Sequence, residues 1–205
     1  MRAGFESGDA LLVVRFRWPA DTAALGRALG AAPDIVRVGT SLDGSEGYAW
    51  IDADAPAAHA ELDASCASAP SVAHALGAAI AAATGAGSPI ALVPLRAVDG
   101  ASAGRPAPFR YVVETDVEAA HEADFNAWYD DEHLAGLAAV PGAVRAARYR
   151  DPSGAPRYHA IYDLERPETL GSPAWLAVRA TPWSDRVRPR FVNTKRTMFR
   201  IRPRV

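Results

Sequence analysis

The 205-residue chain is short of the residues that announce a simple function. It has one cysteine, Cys66, which excludes a disulfide framework and a thiolate-rich metal centre. Only Lys195 among the 22 basic side chains is a lysine, and with the heavy use of alanine this reads as coding bias. Neither sign of charge dominates. A formal net charge of −2 removes the electrostatic basis for a nucleic-acid partner. Long hydrophobic runs are missing too: the most apolar stretch, residues 72–83, is mostly alanine broken by His74 and Gly77, too short to cross a bilayer. The first residues carry Glu6 and Asp9 where a leader would carry an apolar core, so neither a membrane nor a targeting segment is expected. Gly85-Ala86-Gly87 precedes a strand pattern, the wrong order for a phosphate loop. There is no G-x-S-x-G elbow, no HExxH and no CxxC, and no metal is expected.

What is present is enough apolar material for a core. Hydrophobic residues reach 49%, with five Trp, six Tyr and six Phe, which argues for a soluble, cytoplasmic globular protein and against disorder. One pattern runs through the chain twice. Residues 9–18 form a β-rich run, Asp21 caps a short helix to about Leu29, and residues 35–42 and 47–52 read as strands around Asp43-Gly44-Ser45. An Ala-rich helical region over 55–83 and a strand over 89–98 complete βαββαβ. The second pass has a strand over 109–115, a helix from Val117 to about Ala139 stopped by Pro141-Gly142, and strands over 144–150 and 157–164. A helix capped by Ser172 with Pro173 at its first position, then a strand over 190–202, follows. The prediction is α+β: two tandem ferredoxin-like βαββαβ units, residues 1–103 and 104–205, joined by a Gly/Pro-rich linker at 99–108. Each unit leaves one sheet face uncovered, so the two are expected to pack as an intrachain dimeric α+β barrel. A further homodimer is allowed but not required.

The informative segment is the helix over 118–134. At 100° per residue, Phe125, Trp128, Tyr129, Glu132 and Gly136 share a face, with His133 at its rim. A helix built only for packing would place Leu, Ile or Val there. Aromatic and titratable residues against a sheet are what a ligand cavity requires: apolar walls with a few oriented polar groups. His133 is the candidate general acid or base, because its ordinary pKa lies near cellular pH. The plain alternative is a rim histidine bonded to a backbone carbonyl. Tyr129 or Asn126 would polarise an oxygen, Trp128 and Tyr149 would be walls, and Tyr158 is a further lining candidate; core packing explains the aromatics as well. Glu132 is expected to pair with an arginine such as Arg148. His121 reads as exposed, and His59 and His74 as structural.

Phe125-Asn126-Ala127-Trp128-Tyr129-Asp130, Glu132-His133-Leu134, Val140-Pro141-Gly142 and Arg148-Tyr149 together resemble the signature of EthD-like proteins, of the dimeric α+β-barrel superfamily. The resemblance covers residues 109–200 and extends to Ser172-Pro173-Ala174-Trp175 and Thr181-Pro182-Trp183-Ser184. It implies a fold and a cavity more than a reaction, with His133 at the family's histidine position. The helix over 21–29 has no Trp, Tyr or His, so the first half is expected to be a scaffold.

The C-terminal residues 184–205 hold eight basic residues against Asp185, which leaves −9 on the rest of the chain. Alternating Arg186, Arg188 and Arg190, and then Arg200, Arg202 and Arg204, suggest a strand with one wet face that attracts an anionic substrate or pairs with Asp130 and Asp131. The expected function is that of a cofactor-independent acid/base enzyme, of dehydratase, isomerase, cyclase or decarboxylase type. Its small-molecule substrate would be apolar or aromatic and carry a carbonyl. The alternatives are a non-catalytic binding or accessory protein, a cofactor-free monooxygenase, or a haem protein with His133 or His121 as axial ligand.

Overall fold

The computed structural model describes residues 10–30, 35–53 and 72–202. Cys66 and His59 lie outside them. Two compact units divide the chain, residues 9–93 with the segment from Arg202, and residues 94–201.

In the first unit the order is β1 (Leu11–Arg17), α1 (Thr22–Leu29), β2 (Val36–Ser41), β3 (Glu46–Asp52), α2 (Val72–Thr84) and the start of β4 (Ile90–Asp99). Its strands pair antiparallel in the order β4-β1-β3-β2. Asp21 caps α1 as expected, its Oδ1 accepting from the Ala23 and Ala24 N–H groups at 3.0 and 2.9 Å. Alternation in β1 turns Leu12, Val14 and Phe16 to one face, where they form a core with Leu25, Leu76 and Ile80.

The second unit repeats the arrangement with β5 (Phe109–Val117), β6 (Ala143–Arg150), β7 (Tyr158–Leu164) and β8 (Phe191–Ile201), again antiparallel in the order β8-β5-β7-β6. Between β5 and β6 runs a helical segment containing α3 (Glu122–Trp128) and α4 (Leu134–Ala138); α5 (Pro173–Val178) and α6 (Pro182–Val187) connect β7 to β8. The register Tyr111↔Tyr162 and Val113↔Ala160 puts the aromatic residues of β5 and β7 on the face that packs against Phe125, Trp128 and Tyr129. On the opposite face Arg110 grips Asp163 with two bonds of 2.7 and 3.0 Å. Such a buried fork must satisfy both charges to be tolerated.

Three local expectations change. The stretch 99–108, expected as a linker, is tied down: Ala101 N–H donates to the Ala138 carbonyl, Gly100 N–H to Val144, and the Ser102 hydroxyl to Glu165. Arg186, Arg188 and Arg190 are not in a strand, because Thr181 caps α6 with Pro182 at its first position and a 3₁₀ turn over Arg188–Arg190 follows it. Arg186 pairs with Asp124 at 3.0 Å and not with Asp130 or Asp131. The stop after α4 works as read: Gly142 has φ +94°, and a Cβ there would lie 2.4 Å from Thr169 Oγ1, so only glycine fits.

Candidate functional site

The helical segment after β5 is not one regular helix. A single 3₁₀ turn (Ala119–His121) leads into α3, and residues Tyr129–His133 then form a π turn before α4. The Leu134 N–H donates to the Tyr129 carbonyl, five residues back. The consequence is geometric. In a regular helix residues five apart point about 140° away from each other; the wider turn brings His133 back over Trp128. Their rings stack with centroids 3.9 Å apart and planes 20° from parallel. Tyr129 meets both rings edge-on, at 4.7 and 5.3 Å. Trp128 is held in turn by its indole N–H, which donates to the Ser184 hydroxyl at 3.3 Å. π turns of this kind recur at functional sites.

His133 is therefore inside, 6% exposed, where a regular helix would have left it at the rim. Its Nδ1 is fully buried with no hydrogen-bond partner. Burial, and then the positive charges of Arg179, Arg188 and Arg148, push its pKa down to about 3, so the imidazole is neutral at neutral pH. The ring borders a small, half-open cavity. Tyr111, Trp128, Tyr129, Tyr162 and Trp175 supply apolar wall, and Arg179, Arg188 and Arg196 supply the charge. The Tyr162 hydroxyl is buried beside Tyr129 without a hydrogen bond of good geometry. Burial holds both phenols above their usual pKa, so each stays a neutral donor.

Behind Tyr129 a second polar group is closed on itself. The Arg148 guanidinium lies 4.1 Å over the Tyr129 ring, donates to Asn126 Oδ1 at 2.8 Å and faces Asp130 at 3.4 Å. Asn126 Nδ2 donates to the Tyr158 hydroxyl, which donates to Glu122 at 2.5 Å. Each of these side chains has a partner, so the chain of bonds fixes α3 on the sheet.

Of the residues singled out from sequence, His133, Tyr129 and Trp128 meet at the cavity. Asn126 and Tyr158 belong to the Arg148 network instead, and Tyr149 lies across from His159 on the other face of the sheet. Glu132 does not pair with Arg148; it accepts from the Thr181 hydroxyl at 2.6 Å, because the π turn carries it round to the α5–α6 connection. His121 sits 3.6 Å from Glu118 at the surface. Of the charged half of the site, sequence reasoning named Arg188 alone, as part of an expected strand that attracts an anionic substrate, and missed Arg179 and Arg196. Tyr162 could have been found from the face it shares with Tyr158. Arg179, at the end of α5, and Arg188, just after α6, carry no motif.

No family model matches the sequence, and no curated protein matches it. Solved structures do. A protein provisionally named a monooxygenase from Lactobacillus acidophilus aligns over 96% of this chain and 94% of its own, with TM-score 0.61 and 12% identity. Chlorite dismutase from Candidatus Nitrospira defluvii aligns over 98% and 92%, with TM-score 0.60 and 11% identity. A heme-degrading enzyme from Listeria monocytogenes aligns over 93% and 98%, with TM-score 0.53 and 7% identity. What these structures share with the chain is a mixed α+β fold.

Haem, suggested by one of these neighbours, does not fit this cavity. The cavity is small, and His133 lies flat on Trp128 with its Nδ1 fully buried instead of presenting its edge across an open pocket.

Proposed function

We propose that the second unit is an EthD-like acid/base enzyme that moves a proton on a small, aromatic or unsaturated carbonyl compound without a cofactor. The tandem ferredoxin-like reading of the chain belongs to the same proposal, the first unit being the scaffold. The observation that carries it is the neutral, unpartnered His133 stacked on Trp128 at a cavity with phenolic donors. A neutral imidazole is the form that can accept a proton from the carbon beside a carbonyl. Tyr129 and Tyr162, kept as neutral phenols by burial, would donate to the carbonyl oxygen as charge develops there. Returning the proton to another atom gives isomerisation; returning it to a leaving group gives dehydration.

Deuterium exchange tests this without knowledge of the natural substrate. Aromatic ketones incubated with the protein in D₂O should gain deuterium at the carbon next to the carbonyl. His133→Ala should lower that rate by about 10²–10⁴. Unchanged exchange would leave His133 a packing residue and the protein a non-catalytic binder. Oxygen consumption during exchange would identify the monooxygenase variant of the same first step.

A further inference from the structure

The cavity has a charge imbalance that acid/base chemistry on a neutral ketone does not use. Arg179, Arg188 and Arg196 converge on it from the end of α5, the turn after α6 and β8, and the guanidinium of none of them has an ion pair or hydrogen bond among the described residues. Several other arginines of the unit pair with carboxylates: Arg110 has Asp163, Arg148 has Asp130, Arg157 has Glu122 and Arg186 has Asp124. The three at the cavity face one another. Arg188 has its charged form disfavoured by burial, and then by Arg179 and Arg196, with Asp185 only partly offsetting them. No carboxylate lines the cavity. Nor is this general basicity, because the chain as a whole is net negative. Three mutually repelling cations around an aromatic pocket, with a buried histidine nitrogen that has no partner, form a site suited to an anion.

We propose that the ligand is an aromatic or unsaturated carboxylic acid, its carboxylate held by Arg179, Arg188 and Arg196 and its planar body inserted among Tyr111, Trp128, Tyr162 and Trp175. The inference names the substrate class of the reaction proposed above and rests on that reading of the cavity. The carboxylate suits paired guanidinium forks, and the aromatic walls suit a flat hydrocarbon. It also resolves a difficulty in the chemistry. A histidine surrounded by Arg148 on β6, Arg179 and Arg188 beyond α5 and α6, and Arg196 on β8 is a poor base, and the phenols Tyr111, Tyr129 and Tyr162 that also face the site bring no negative charge. A bound anion offsets those cations and so raises the basicity of His133, although burial, the larger cause of its low pKa, stays in place.

The probe pair is 2-naphthoate and its neutral isostere 2-naphthamide, titrated into the full chain and followed by tryptophan fluorescence. The carboxylate should bind about tenfold or more tightly than the amide, and less so as salt rises. Arg179→Gln/Arg188→Gln should abolish the preference, while Arg179→Lys/Arg188→Lys, which keeps the charge, should retain most of it. Equal affinity for the two probes in the unaltered protein would overturn the inference, as would a preference that survives the Gln pair. His133→Ala separates the two readings. Lost exchange chemistry with the naphthoate preference intact supports both. Unaltered exchange with that preference intact removes the catalytic reading and leaves the anion site standing.

Discussion

Replacing His133 by Phe should remove a specific pH dependence from the stability of the protein. The ring stack on Trp128 survives the change, but the titrating group is gone. In the folded chain the His133 pKa is depressed from 6.5 to about 3, chiefly by burial. The unfolded chain therefore binds a proton at this position before the folded chain does. The penalty is absent above the unfolded value, grows as pH falls below about 6.5, and is complete only below about 3. At about pH 5 the unfolded histidine is almost wholly protonated and the folded one is not, a difference of about 2 kcal/mol. Urea unfolding of both proteins at about pH 7.5 and about pH 5 measures it. The unaltered protein should lose about 2 kcal/mol more than His133→Phe between the two conditions, because titrations elsewhere are common to both. Equal losses would mean that His133 protonates in place, and that the buried, neutral imidazole is a wrong description.

Two other substitutions probe the frame around the site. Gly142→Ala forces a side chain into φ +94° and against Thr169, and should cost about 1–3 kcal/mol in chemical denaturation; a neutral result would show that the α4–β6 corner has slack. Arg148→Ala leaves the carbonyl of Asn126 without its buried donor and opens space under Tyr129, and should cost about 3 kcal/mol or more. A loss under about 1 kcal/mol would show that the bonded chain from Arg148 to Glu122 is not what fixes α3.

Much of the second unit could be read from its sequence, for reasons that are local. Phe109-Arg-Tyr-Val-Val has the aromatic and β-branched content of the buried strand β5, Ser172 bonds the Trp175 N–H as a cap before a first-position proline should, and Gly142 takes the positive φ that ends α4. The π turn was not legible. Periodicity at 100° per residue assumes one hydrogen-bond spacing throughout, and the single i→i+5 bond at Leu134 rotates everything after it. That rotation is why Trp128, Tyr129 and His133 meet as expected while Glu132 goes to Thr181 and not to Arg148. The arginines were hidden for another reason. Their convergence depends on where α5 and α6 end, and α6 itself was read as part of a strand-like run of alternating arginines. Tyr149 and Tyr158 were equal candidates until the register of β6 on β7 put them on opposite faces.

The central claim is that a carboxylate ligand and His133 share one cavity. Imidazole carbon signals followed by NMR through a titration with 2-naphthoate test it most directly. The account predicts that the His133 signals shift with saturation and that its protonation moves upward in pH when ligand is bound, with exposed His74 and His121 unmoved. Saturating ligand with the His133 signals and titration unchanged would contradict it.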